Sequence, residues 1–395
     1  MTSILKNFPV VIHQLFFLFS QLLILYLYGI SYSGSLAYIG AVSTFLAILI
    51  CLRWDIEILV SNYQTLSENL HDASVTIVSM TIIIVFLNAI FGNLLPIHII
   101  LSALAIAIHE SLVSALFVQK KIYIYSFFRT LPAIALIFFA ILGFRPEVIW
   151  PASFFVSVFF LILYFKNLFI KAFLNSSIQR IKEIKILNKI NAAITATTFS
   201  FFSALFVIVI NFYYGNEYVG LWSNTIRIFN SLLIFLLGAG LPFALNKIRV
   251  KNNTSEKVKT FLFLWLVFCP LIILSFFVTS IWGMNILYLF TNYDFGVPSI
   301  YLGYIVLVAT AISFVGSSQA LYQGINKNII LLGFILISAA LGFIYILNFN
   351  HSFTALVELF LISIFTLFIM VLIHLLSLLL FKPNDLKESK SKDFQ

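Results

Sequence analysis

Residues 166–191 read KNLFIKAFLNSSIQRIKEIKILNKIN, the longest hydrophilic stretch in a chain of 395 residues that is otherwise a series of long apolar runs. Within it Ile178, Ile181, Ile184 and Leu187 recur at three-residue spacing among Lys and Arg. That is the pattern of a basic amphipathic helix lying on an anionic leaflet, with a solvated linker as the alternative. Either way the stretch separates the apolar runs into two sets of about six, the layout of a membrane protein built from two parallel halves.

Composition agrees. Hydrophobic side chains make up 62% of the sequence and charged ones 9%, with a mean hydropathy of +1.09, so there is too little polar surface to cover the chain in water. A helix crossing about 30 Å of hydrocarbon needs about 20 apolar residues, whereas barrel strands would alternate over about 10. The runs are long and do not alternate, which predicts an all-α polytopic membrane protein. Twelve spans are expected near residues 8–30, 36–52, 73–95, 97–118, 122–144, 149–168, 192–214, 218–245, 260–282, 298–323, 329–348 and 352–381. The first is read as an uncleaved helix, because it exceeds a signal-peptide core and lacks a small-residue cleavage site. The expected organisation is a six-helix half over 1–168, a basic linker over 169–191, a second six-helix half over 192–381 and a polar tail over 382–395, with a central cavity between the halves.

The basic residues fix an orientation. Lys6, Arg53, Lys120, Lys121, the six of the middle stretch, Lys247 to Lys259, Lys327 and the four lysines of the tail all fall in alternate gaps, and they account for 20 of the 23 Lys and Arg. Arg145 alone lies in the opposite gaps. The positive-inside rule then puts both termini in the cytoplasm. The formal charge of +9 is spread over successive loops rather than gathered on one soluble domain, so nucleic acid is not an expected partner. Cys51 and Cys269 sit at or within spans and support neither a disulfide framework nor a metal site. No cofactor is expected, since no P-loop, GxSxG, HExxH or kinase-type motif occurs.

A weak internal similarity accompanies the division. YSGSLAYIGAVSTFLAIL follows the first span and YYGNEYVGLWSNTIRIFNSLL the seventh, each a short Tyr/Gly turn leading into a new span. The remaining external segments are short, which leaves polar groups inside the membrane as the place to look for function.

Arg129 in IYIYSFFRTLPAIAL and Arg227 in GLWSNTIRIFNSLL lie inside spans, where a guanidinium costs several kcal/mol unless it meets water or a partner. Snorkelling to the boundary is one outcome, more so for Arg129. The other is that both face a central cavity and grip an anion such as a diphosphate through paired charge-assisted hydrogen bonds. Glu110 stands beside His109 in AIAIHESLVSAL. The pair could carry coupling protons or hold a cation, or Glu110 could simply neutralise Arg129 across the tight QKK turn that joins the fourth and fifth spans. In LRWDIEIL, Arg53 sits beside Asp55 and Glu57, either as a local salt bridge or as a gate at the inner mouth of the cavity. His13, His374 and Glu358 lie near span ends, and Glu217 and Asp294 are read as solvated loop acids.

Three segments carry a family resemblance: LRWDIEILVSNYQTLSENLHDASVTIVSM, YYGNEYVGLWSNTIRIFNSLLIFLLGAGLPFAL and LFTNYDFGVPSIYLGYIVLVATAISFVGSSQALYQGINKN. The first has an Arg-aromatic-acidic group before a polar loop, and the second a glycine-aromatic turn followed by an arginine. In these segments, and in span count, orientation and central basic loop, the chain resembles the Wzx-type polysaccharide flippases of the multidrug/oligosaccharidyl-lipid/polysaccharide exporter superfamily. SNYQ stands where many members have a proline-containing stretch. The resemblance implies a non-enzymatic, bacterial inner-membrane protein that moves undecaprenyl-diphosphate-linked oligosaccharide, such as O-antigen units for lipopolysaccharide, by alternating access. Membrane lipids are further expected partners, as are a polymerase and a chain-length regulator. In that reading Arg129, Arg227 and Arg53 bind the diphosphate, and Glu110 with His109 serves ion coupling. An O-antigen polymerase and a small-molecule exporter of the same superfamily are the alternatives.

Overall fold

A computed structural model describes residues 2–60, 66–166, 186–230, 253–325, 327–347 and 352–380. The described residues form helices and no strand: α1 Thr2–Cys51, α2 Trp54–Val60, α3 Leu66–Ile90, α4 Ile97–Val118, α5 Ile122–Ile141, α6 Pro146–Tyr164, α7 Ile186–Phe229, α8 Thr254–Thr291, α9 Ser299–Gly324, α10 Asn328–Leu347 and α11 Phe353–Leu380. Helix is what hydrocarbon demands, because a spanning segment must satisfy its own backbone N–H and C=O groups. The local punctuation is familiar. Pro146 opens α6 in the first turn, where its missing N–H costs nothing, and Asn292 at φ 51° ends α8 in a left-handed cap.

α1 and α7 are hairpins rather than rods. Each contains one non-helical residue, Gly29 (φ 79°, ψ −178°) and Gly215 (φ 78°, ψ −175°), in a region of backbone space that is essentially closed to other residues. In α1, Phe17 and Gly40 lie on either side of Gly29, yet both rest on the indole of Trp150. In α7, Phe206 and Trp222 likewise meet across Gly215, at 6.3 Å between ring centroids. Among the described residues, nine helices are long and apolar enough to cross a membrane. Since two of these double back and α10 is an additional, shorter apolar helix, the twelve expected spans are all represented, in two six-helix lobes with a cavity between them. The last two residues of the expected sixth span, residues 169–185 of the expected linker, the end of the eighth span and the polar tail lie outside the described residues.

The hairpin tips give the internal repeat its register. YGISYSG (28–34) matches YGNEYVG (214–220) at Tyr28/Tyr214, Gly29/Gly215, Tyr32/Tyr218 and Gly34/Gly220. The two copies pack on each other reciprocally. A Cβ on Gly34 would collide with the Asn216 carbonyl and stand 2.8 Å from the Gly220 nitrogen, and one on Gly220 would collide with the Ile30 carbonyl and stand 2.6 Å from the Ile30 side chain. The lobes therefore meet backbone to backbone at this seam, chiefly through α1 and α7. Aromatic side chains brace it on both sides. Tyr28 and Tyr32 stack on each other and donate their hydroxyls to the Ala140 and Phe144 carbonyls, while Tyr218 packs on Phe295 and Phe353. The seam closes one end of the bundle. Arg53, Lys120, Lys121, Lys166, Lys257, Lys259 and Lys327 mark the other, the basic end.

Candidate functional site

Between the lobes lies a cavity of about 700 Å³. Its walls come from the second arm of α1 (Leu36 to Cys51), from α4 (Ile106 to Glu110), from α5 (Arg129, Pro132), from α6 (Trp150, Phe154) and from both arms of α7 (Phe199 to Ala204, and Arg227). It runs from below the seam to Arg53 and Asp55 at the basic end. Small residues make the room. Ala37, Gly40, Ala41, Thr44 and Ala47 present a thin face of α1, and at Gly40 a Cβ would stand 2.9 Å from the Trp150 ring.

All five residues singled out in the sequence line this one cavity: Arg53, His109, Glu110, Arg129 and Arg227. Their pairing differs. Arg129 Nη1 donates to Glu110 Oε2 at 2.8 Å, so of the readings open in the sequence the structure forms the ion pair across the QKK turn. These side chains keep 30% and 33% exposure, which places the pair on the cavity wall rather than in packed protein. The Arg129 guanidinium also lies 5.8 Å from the centre of the Tyr125 ring. Arg53 Nη1 stands 3.6 Å from Asp55 Oδ2, and the turn that carries it is held by two consecutive left-handed residues, Leu52 and Arg53. Trp54, just beyond, donates its indole N–H to Thr76 Oγ1 at 3.0 Å.

Arg227 is different. Among the described residues it has no acidic partner, and its one hydrogen bond is a long one, 3.4 Å from Nη1 to Ser33 Oγ. Ser33 is itself tied to Asn224, whose Nδ2 also donates to the Gly220 carbonyl at 2.8 Å. The Arg227 Cα lies about 10 Å along the helix from Gly220 at 1.5 Å of rise per residue, and its guanidinium, tied to Ser33 beside the seam, lines the cavity. Among the described residues, pairing leaves it as a cavity cation without a carboxylate partner.

Several cavity residues were not singled out in the sequence: Phe17, Phe45, Trp150, Phe154 and Phe199 as aromatic walls, and Ser200 and Ser203 as polar points; Cys51, considered there only for disulfide and metal roles, also lines the cavity, its Sγ 3.5 Å from Ser111 Oγ. Aromatics are too common here, with 45 Phe alone, for sequence to single these out. Pro132, three residues after Arg129, was a signal available and unused. The other residues lie elsewhere. Glu217 accepts from Tyr293 at 3.1 Å and Glu358 from Tyr301 at 3.0 Å, both in exposed pairs, and His374 Nδ1 is 2.7 Å from the Tyr322 hydroxyl in the second lobe.

Two six-helix lobes, each opened by a glycine-tipped hairpin and enclosing a partly cationic cavity, define a two-lobed polytopic membrane protein. The architecture is that of the MATE transporters. The chain superposes on a ligand-bound structure of the MATE multidrug transporter DinF-BH with a TM-score of 0.64 and 14% identity, covering 95% of this chain and 96% of the other. For the Vibrio cholerae MATE transporter VcmN the values are 0.60 and 12%, covering 96% and 97%. For an inward-facing multidrug resistance MATE transporter of the MOP superfamily they are 0.53 and 12%, covering 94% of each chain. No protein-family model matches the sequence, and no curated protein does.

Proposed function

We propose that this protein is a transporter of the MOP superfamily that moves an anionic, lipid-linked cargo, undecaprenyl-diphosphate-linked oligosaccharide, across a bacterial inner membrane, with both termini in the cytoplasm. The observation that carries the reading is Arg227. An unpaired guanidinium inside a membrane-embedded cavity is retained at a cost of several kcal/mol, and an anion that enters the cavity repays it. Arg129 and Arg53, each already beside a carboxylate, contribute by exchanging that partner for phosphate oxygens. In this scheme the cargo enters from the basic end, its polyprenyl tail stays in lipid, and its sugars meet the aromatic walls. Separation of the hairpin tips then opens the opposite side. Glu110 and His109 supply the ion coupling, and a polymerase and a chain-length regulator act on the delivered units.

The MATE fold and a cavity within the usual 300–1,000 Å³ of small-molecule sites also favour a second reading, an exporter of small organic ions. The two separate cleanly. Deletion of the gene should give lipopolysaccharide core with no added unit and lipid-linked units accumulating on the inner leaflet, and Arg227→Ala should fail to restore the wild-type profile. Unchanged glycan with increased sensitivity to organic cations would favour the second reading. Core carrying a single repeat unit would mean that translocation is intact and a polymerase has been lost.

A further inference from the structure

α5 carries Pro132 in its interior, and proline has no N–H, so the carbonyl four residues earlier, that of Phe128, lacks its helical partner. Two side chains from neighbouring helices take it. Ser157 Oγ of α6 donates to it at 3.2 Å, and His109 Nε2 of α4 lies 3.2 Å from it. A carbonyl oxygen only accepts, so Nε2 carries a proton, and in the neutral ring Nδ1 is then a bare lone pair. Nδ1 is buried without a hydrogen-bond partner, and it faces Glu110 Oε1 at 3.5 Å. The other carboxylate oxygen, Oε2, is held by Arg129. A lone pair set against a carboxylate oxygen is an unfavourable contact that one added proton converts into a charge-assisted hydrogen bond.

We propose that His109 Nδ1 and Glu110 Oε1 together form a binding site for a single exchangeable proton, with Pro132 acting as a positioning residue because it frees the carbonyl that fixes the histidine tautomer. The atoms balance simply: a proton from cavity water is taken up by the partly exposed Glu110 carboxylate and passed to the buried Nδ1, and the imidazolium then shares the restored carboxylate with Arg129. A metal cation fits worse. Hard cations take several oxygen ligands, and here a guanidinium already occupies the carboxylate while the remaining donor is a ring nitrogen. The charged and titratable groups around the site are Arg129 and Tyr125 from α5, Cys51 from α1, and Arg53 and Asp55 at the start of α2. α3 brings His71 and Asp72 toward the same end of the bundle, and α6 contributes Phe154, edge-on to the imidazole at 5.5 Å. His109 and Glu110 both line the cavity, which gives the proton a path from the basic end.

This deepens the ion-coupling part of the proposed function, yet its test needs no cargo, so either can fail alone. Full-length protein containing ring-nitrogen-labelled histidine is reconstituted in liposomes and titrated by solid-state nuclear magnetic resonance, the His109 signals being those lost in His109→Gln. The expected result is a bare Nδ1 and a protonated Nε2 at alkaline pH, both becoming imidazolium-type on acidification. Glu110→Gln should reduce the imidazolium fraction at a given pH, and Pro132→Ala, which restores an N–H to the Phe128 carbonyl, should introduce the opposite tautomer. A wild-type His109 protonated on Nδ1 with Nε2 bare, or one whose protonation is indifferent to Glu110→Gln, would overturn the proposal.

Discussion

Gly34→Ala tests the seam directly. Its Cβ would stand 2.8 Å from both the Asn216 carbonyl carbon and the Gly220 nitrogen, and closer still to the Asn216 oxygen. All three are backbone atoms, so no rotamer change relieves the clash. Relieving the contacts with the carbon and nitrogen alone takes 0.6 Å (3.4 − 2.8), and clearing the nearer Asn216 oxygen requires the hairpin tips to separate farther than that. Overpacking of this kind costs about 1–3 kcal/mol. The cost falls only on the state in which the seam is shut, so an equilibrium between shut and open seams should shift by roughly 5- to 150-fold toward the open one. Spin labels at Lys120→Cys and Lys259→Cys, one on each lobe at the basic end, would report the shift in a background with Cys51→Ala and Cys269→Ser. Double electron–electron resonance should show the wild-type separation giving way to a shorter one as the basic end closes. Gly333→Ala is the control, because nothing lies within 4 Å of its Cβ position. An unchanged distance distribution in a folded Gly34→Ala protein, or an equal shift in the control, would refute the reasoning.

Gly29→Ala and Gly215→Ala should each destabilise their hairpin by about 1–3 kcal/mol through backbone strain, read as lowered thermal stability in nanodiscs. Arg227→Ala should abolish binding of a diphosphate-bearing lipid to the purified protein, with Arg227→Lys retaining part of it because a point charge remains but the bidentate fork is lost. Phe360, stacked on Phe206 at 4.0 Å and 1% exposed, is a packing residue. Phe360→Ala should cost less than the roughly 3–5 kcal/mol typical of soluble cores, because the unfolded-in-membrane reference is equally apolar and only packing is lost. At the exposed tip, the hydrogen bond from Tyr293 to Glu217, then the carboxylate charge, raise the phenol pKa above its ordinary value near 10. That contact should hold below pH 10 and be lost as pH rises through the raised value, and Glu217→Gln should bring phenolate absorbance to lower pH.

The difference between what was legible and what was not is visible at the three arginines. That Arg129 and Arg227 lie inside spans follows from the apolar runs around them, and that Arg53 lies at a span end follows from the polar loop beyond it. Their pairing does not follow. Glu110 and Arg129 are 19 residues apart and meet only because α4 and α5 are rotated so that both side chains point into the cavity. The repeat was legible in kind but not in register, because the tyrosines and glycines at the hairpin tips recur often enough to align in more than one way.

Sequence by itself determined the number of spans and the side on which the basic loops gather, because partition into hydrocarbon depends on composition along the chain and hardly on what touches what. It placed a short turn between the spans at 31–35 and at 215–217, but the first bend falls at Gly29, within the expected first span, and only the structure shows that the backbone at Gly29 and Gly215 admits little but glycine. Helix rotation was the missing quantity. A soluble helix reveals its buried face through an apolar stripe, but a helix in lipid is apolar all round, so packing of small residues rather than hydrophobicity sets its facing. Only the tertiary structure therefore decided that Arg227 meets no carboxylate among the described residues, that the Phe128 carbonyl freed by Pro132 reaches His109, and that Gly34 and Gly220 close the lobes against each other.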